Sequence, residues 1–164
     1  MITNFAELIR ILVHSGVEFI IIGGAAARAH GSARLTEDLD IVYHRTPENI
    51  ERLVTALDPF DPYLRGVPPG LPFEWSSRTI QKGLNFTLKV SLGAIDLFGE
   101  IVGGGGYEAL LPQSERIALY GVECFCLSLR ALLIVKRAAG RPKDLELIAE
   151  LEAIIEESQG TSLE

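Results

Sequence analysis

The sequence predicts an α/β (α+β) fold: one mixed β-sheet, helices mainly on one face, and a C-terminal helical pair. Three patterns carry that prediction. Ile2, Phe5, Leu8, Ile9, Leu12 and Val13 recur at helical spacing. Residues 17–22 form an apolar, partly β-branched run of the kind that fills a central strand buried on both faces. Residues 84–90 alternate Leu84, Phe86, Leu88 and Val90 with Asn85, Thr87 and Lys89, the period of a half-buried strand. With 164 residues, 48% of them hydrophobic, the chain matches one well-buried domain, residues 1–158, followed by a flexible polar tail, 159–164.

The elements follow in order. The N-terminal amphipathic helix ends near Gly16, and the strand after it stops at Gly23-Gly24. A short Ala-rich helix, residues 25–30, comes next; its N-terminal amides point into the glycine turn, where an anion would be favoured. The loop 31–37 leads to a second strand, 39–43. Thr46-Pro47-Glu48 is a helix start, with a capping hydroxyl, proline at the first helical position and an acid in the first turn, and this helix runs to about Leu57. Residues 58–72 hold five of the eight prolines and read as a long loop, a feature that is usually functional or mobile. Strands follow at 84–90 and 94–98, joined by a hairpin turn. A four-glycine loop, 103–106, leads into a helix at 107–111, and residues 116–126 form a hairpin or two short strands around Gly121. Ser128 caps a helix that Gly140 ends, and Pro142 begins the last helix, whose stripe of Leu145, Ile148, Leu151, Ile154 and Ile155 opposes an acidic, solvated face.

Composition excludes several classes. A net charge of -7 argues against a general nucleic-acid coat protein, which is normally basic. The longest apolar run is too short for a membrane span and is interrupted by Glu18 and Arg28. No basic segment followed by an apolar core marks a secretory signal, so a cytoplasmic protein without a membrane partner is expected. Cys124 and Cys126 stand two apart on a predicted strand, about 6.6 Å along it, a poor geometry for a disulfide; buried thiols are expected. His14, His30 and His44 are too dispersed for a zinc signature.

The chemistry-bearing residues cluster in and after residues 19–43. Asp38 and Asp40, separated by one residue on a strand, share a face, while Leu39 points into the core. Asp96 is an acid on an otherwise apolar strand, and a half-buried carboxylate is costly unless paired, hydrogen-bonded or metal-bound. Three carboxylates beside a glycine turn point to metal-dependent phosphoryl or nucleotidyl chemistry. A competing motif, G-x-G-x-x-[GA] at Gly104, Gly106 and Ala109, would imply a dinucleotide-binding oxidoreductase. It lacks a surrounding βαβ unit and the acid about 20 residues on.

A hydrophobic strand, Gly23-Gly24, thirteen residues, then Asp38-Leu39-Asp40, with Asp96 on a later strand, resembles the nucleotidyltransferase superfamily pattern of G-[GS], spacer and D-h-D. The variant GSARLTEDLDI, and LSLRALLIVKRAAGRPKDLELIAELE near the end, look like the minimal nucleotidyltransferases. That group includes the type IV toxin–antitoxin (AbiEii-like) nucleotidyltransferase toxins and relatives of the aminoglycoside and lincosamide enzymes. The similarity covers residues 17–151; Gly24 replaces a frequent serine, and the Pro-rich stretch has no counterpart.

The resemblance implies an NTP- and Mg²⁺-dependent enzyme. Asp38, Asp40 and Asp96 would hold two Mg²⁺ ions, with Mn²⁺ as a substitute, and Asp96, expected to stand apart from the other two, would activate the acceptor. Gly23 and Gly24 would give amides to the phosphates, with Ser32 as a further donor and Thr36 beside it. Arg34, Lys136 and Lys143 would neutralise the triphosphate, and Arg28, Arg137 and Arg141 would extend the patch. The acceptor hydroxyl is left open among tRNA or other RNA, a protein side chain and a small molecule, as is a cognate toxin or antitoxin partner. The alternative is a catalytically silent, antitoxin-like binding protein of the same fold. Each residue also has a purely structural reading: Gly23-Gly24 as a turn, Asp38 and Asp40 as a capping or solvated pair, Asp96 as an ion-pair partner of Lys89, Asp144 as a cap beside Lys143, and Arg34 or Thr36 as loop fixings.

Overall fold

The computed structural model describes residues 2–161. Helix α1 (Phe5–His14) is capped by Asn4, whose side chain accepts from the Glu7 N–H, and it buries Leu8, Ile9 and Leu12. Strand β1 (Phe19–Ile22) is buried along its whole length. Helix α2 (Gly23–Ala29) starts directly on Gly23, two residues before the expected start. Gly23 has φ 64, a left-handed conformation that lets the chain pass from strand to helix without a separate turn. Strand β2 (Asp38–Tyr43) includes Asp38 as its first residue. Helix α3 (Pro47–Leu57) has the predicted Thr46 cap and Pro47 start.

The Pro-rich segment is partly structured. A 3₁₀ turn (Asp58–Phe60) precedes β3 (Tyr63–Leu64), which adds to the sheet edge. Helix α4 (Ser77–Lys82), capped by Ser76, was not anticipated: it buries only Ile80, too little for an apolar periodicity to show. Then come β4 (Phe86–Val90), β5 (Gly93–Phe98), and a small ribbon of β6 (Glu100–Ile101) with β7 (Gly105–Gly106), leading into α5 (Tyr107–Leu110). Strands β8 (Ser114–Leu119) and β9 (Val122–Leu127) form the expected hairpin. Helix α6 (Leu129–Ala139) has its Ser128 cap and its left-handed Gly140, and α7 (Leu145–Thr161) packs on it after a 3₁₀ turn at Pro142–Asp144. Residues 159–161 of the expected tail are therefore helical; 162–164 lie outside the described residues.

The main sheet has seven strands in the order β3-β4-β5-β2-β1-β9-β8. It is mixed: β2 runs parallel to β5 and β1 to β9, while the other pairs are antiparallel. The register places Ile22 opposite Asp40, Asp40 opposite Asp96, and Asp96 opposite Thr87. Leu39 and Ile41, between and beyond the two acids of β2, are fully buried in the core, so alternation turns the acids to the other face. Cys124 and Cys126 are buried free thiols, and burial pushes the Cys126 thiol up to about 12.

Candidate active site

Because β2 and β5 are parallel and in register, Asp40 and Asp96 face each other across one strand spacing, with Asp38 two residues earlier on the same face. Each of the three offers an oxygen, and these oxygens all lie within 4.8 Å of one another. Asp96 therefore joins the other two acids rather than standing apart from them. Such crowding is unfavourable without a cation. Burial first, then the charges of Asp38 and Asp96, push the Asp40 carboxyl up to about 8, against the lowering influence of Lys136. Burial also raises Asp96, opposed by its hydrogen bond to Arg65 and by that guanidinium's charge.

Asp40 Oδ1 is buried and has no hydrogen-bond partner among the described residues. A native protein rarely leaves a buried carboxylate oxygen unpaired, and here it belongs to a cluster of hard oxygen donors. The donor set suits a hard divalent cation, which Asp38, Asp40 and Asp96 could hold together.

The glycines shape this site sterically. A Cβ on Gly23 would collide with the Asp40 carboxylate, and one on Gly24 would stand 2.7 Å from the Thr36 hydroxyl oxygen. Gly23 thus lets α2 begin against the acids, and Gly24 admits Thr36, whose hydroxyl donates to the Asp38 carbonyl at 3.2 Å.

A cleft of about 790 Å³ opens over the three acids. Gly23, Gly24, Ser32, Arg34, Thr36, Lys136 and Lys143, all named from sequence, line it, as does Arg141. Their roles differ. Ser32 is buried, donates its hydroxyl to Glu150 and accepts the Arg34 N–H at 3.1 Å, so it ties the loop to α7. The Arg34 guanidinium pairs with Glu146. Lys136 Nζ lies 3.7 Å from Asp144, which Arg141 also grips at 2.7 and 3.3 Å; burial raises the Asp144 carboxyl, but the Arg141 hydrogen bond and the surrounding cations outweigh it and hold the group below the usual range. Arg28 instead donates to the Arg34 carbonyl, and Arg137 pairs with Glu152, so neither joins the cleft lining.

Sequence reasoning missed Arg65. Its Nη2 donates to Asp96 Oδ1 at 2.7 Å and reaches Asp38 Oδ2 at 3.4 Å. The expected partner Lys89 instead sits 5.8 Å above the Tyr63 ring. The strand β3 that delivers Arg65 is two residues long and flanked by prolines, which leaves no periodic signal. The competing G-x-G stretch forms the β6–β7 ribbon, where a Cβ on Gly104 would meet Leu110 and Ile101 at 2.9 and 3.0 Å. Gly104 serves apolar packing there.

No family model matches the sequence, and no curated protein matches it. Solved structures do match the fold. The lincosamide antibiotic adenylyltransferase LnuA, bound to lincomycin, superposes with a TM-score of 0.62 at 15% identity over 93% of this chain and 98% of that one. The antibiotic-resistance factor ANT(2'')-Ia matches in solution with a TM-score of 0.54 at 15% identity, covering 99% of this chain and 96% of that one. Its complex with adenylyl-2''-tobramycin gives a TM-score of 0.54 at 12% identity, covering 94% of each chain. Superposition over more than nine-tenths of both chains in each case means that this chain, with its seven-stranded mixed sheet, has the nucleotidyltransferase fold.

Proposed function

We propose that this chain is a divalent-metal-dependent nucleotidyltransferase that moves a nucleoside monophosphate from a nucleoside triphosphate onto an acceptor hydroxyl. The observation that carries the reading is the unpartnered Asp40 Oδ1 within a cluster of three carboxylates at the floor of the cleft. In the reaction, the acceptor oxygen forms a bond to the α-phosphorus, the bond from that phosphorus to the bridging oxygen breaks, and pyrophosphate leaves. Bound Mg²⁺ would supply Lewis acidity at the α-phosphate and charge balance for the leaving group.

The protein's own groups do the rest. Asp96, beside Asp40 in the acid cluster, accepts the hydroxyl proton as the general base. Lys136, Lys143 and Arg34 supply positive charge on the cleft wall for the β- and γ-phosphates, Lys as point charges and Arg as a fork. Gly23 and Gly24, the first residues of α2, line the same cleft and would offer their amides to the phosphates.

In this reading the acceptor is a small hydroxylated molecule. The cleft volume lies within the range of small-molecule sites. Leu35 and Val102, 90% and 71% exposed, give its lining apolar surface that a nucleobase or a small acceptor would cover. The two enzymes of like fold were solved with lincomycin and with adenylylated tobramycin, both small molecules. The test is transfer of label from α-³²P nucleoside triphosphates, with Mg²⁺, to lincosamides, aminoglycosides, total RNA and the protein itself. Labelled small molecule with wild type and none with Asp96→Asn is the expected result. Labelled RNA or protein would replace the acceptor assignment, and no labelled acceptor of any class would contradict the reading.

A further inference from the structure

Arg65 is anchored to the sheet edge at two points independent of the acids. Its backbone N–H donates to the Thr87 carbonyl at 2.9 Å, and its Nη1 donates to the Leu88 carbonyl at 2.7 Å. The guanidinium is thereby held against β4 while Nη2 grips Asp96 and approaches Asp38. Its side chain is 28% exposed, Asp96's only 14%, so this contact is shielded from bulk water. A divalent cation entering the cluster meets a fixed positive charge on the Asp96 flank and must compete for an oxygen already engaged. Asp40, whose Oδ1 is unpartnered, is left open to it.

We propose that Arg65 is the resident counter-cation of the acid cluster, a positioning residue that opposes metal binding in the absence of nucleotide by holding Asp96 and Asp38. It neutralises part of the cluster's charge when no ion is bound and fixes which Asp96 oxygen is turned to the cleft. This inference rests on the metal-dependent reading above. The sign of the effect separates it from a structural role: loosening the β3 edge weakens ion binding, whereas removing a competing cation strengthens it.

The experiment titrates Mn²⁺ alone, with no nucleotide, into wild type, Arg65→Met, Arg65→Gln, Arg65→Lys and Asp40→Asn. Free Mn²⁺ is read by electron paramagnetic resonance, and near-UV circular dichroism checks each fold. Arg65→Met and the amide-bearing Arg65→Gln should each bind Mn²⁺ about tenfold more tightly than wild type, the equivalent of one charge-assisted hydrogen bond. Arg65→Lys, which keeps the charge, should stay within about twofold of wild type. Asp40→Asn should lose binding. If the folded Arg65→Met or Arg65→Gln protein binds Mn²⁺ no more tightly than wild type while Asp40→Asn loses it, the role of Arg65 is overturned and the metal site stands. If no protein in the series binds Mn²⁺, both fall.

Discussion

Burial and two neighbouring carboxylates push the Asp40 carboxyl up to about 8, against an ordinary value of 3.8. Between those values the folded, metal-free protein binds more protons than the unfolded chain, so its stability falls as pH rises from about 4 to about 8. Asp40→Asn should flatten that slope and, without metal, stabilise the protein at pH 7.5 by on the order of 2 kcal/mol. Urea unfolding across this pH range in a chelator measures both. Ion binding must displace the Asp40 proton, so apparent Mn²⁺ affinity should weaken as pH is lowered from 8 to 6. Gly23→Ala should cost about 1–3 kcal/mol, because φ 64 is strained for alanine and its methyl would press on Asp40; a lower melting temperature together with weakened Mn²⁺ binding is the expected outcome. At this scale the sequence was informative wherever local spacing decides: the same-face relation of Asp38 and Asp40 follows from strand alternation alone. Arg65 was not legible, since its partners lie 27 and 31 residues away and nothing in a Pro-rich stretch marks it.

A buried polar side chain ties helix α3 to the sheet. Asn49, fully buried, accepts the Glu18 N–H at 2.6 Å and donates to the Glu18 and His44 carbonyls at 2.9 and 2.8 Å, joining the helix to the ends of β1 and β2. Asn49→Ala would strand buried backbone groups and should destabilise by about 3 kcal/mol, read as a shift in the urea midpoint. Mn²⁺ affinity should be unchanged, because the acids lie at the opposite end of β2 from Tyr43 and His44. Elements with strong punctuation were readable from sequence: the Thr46-Pro47 start of α3, the Ser128 cap and Gly140 end of α6, and the β8–β9 hairpin. Short elements were not. Strand β3 and helix α4 are held by contacts from elsewhere, such as the pairing of Tyr63 and Leu64 with β4 and the Arg45 guanidinium's bonds to the Ile80 and Gln81 carbonyls, rather than by an internal pattern.

Across the whole molecule, the site depends on non-local pairing. The strand order β3-β4-β5-β2-β1 brings residues 38–40, 96 and 65 to one face, and only the parallel β2–β5 register decides that Asp96 sits opposite Asp40. The composition of each strand does not contain that register, which is why the sequence supports three acids in one site but not their mutual distance. The described residues include no helix long and apolar enough to cross a membrane. The carboxylates and the cations of α6 and the α6–α7 connection line one cleft, so metal and triphosphate are expected to bind interdependently.

The central claim, that the three carboxylates recruit nucleotide through a divalent ion, is tested most directly by isothermal titration of each nucleoside triphosphate into wild type and Asp40→Asn, in Mg²⁺ and in chelator. Binding of at least one triphosphate by wild type in Mg²⁺, lost in chelator and lost in Asp40→Asn, is the result predicted. Absence of binding in Mg²⁺, or equal binding by wild type in chelator and by Asp40→Asn, would contradict it.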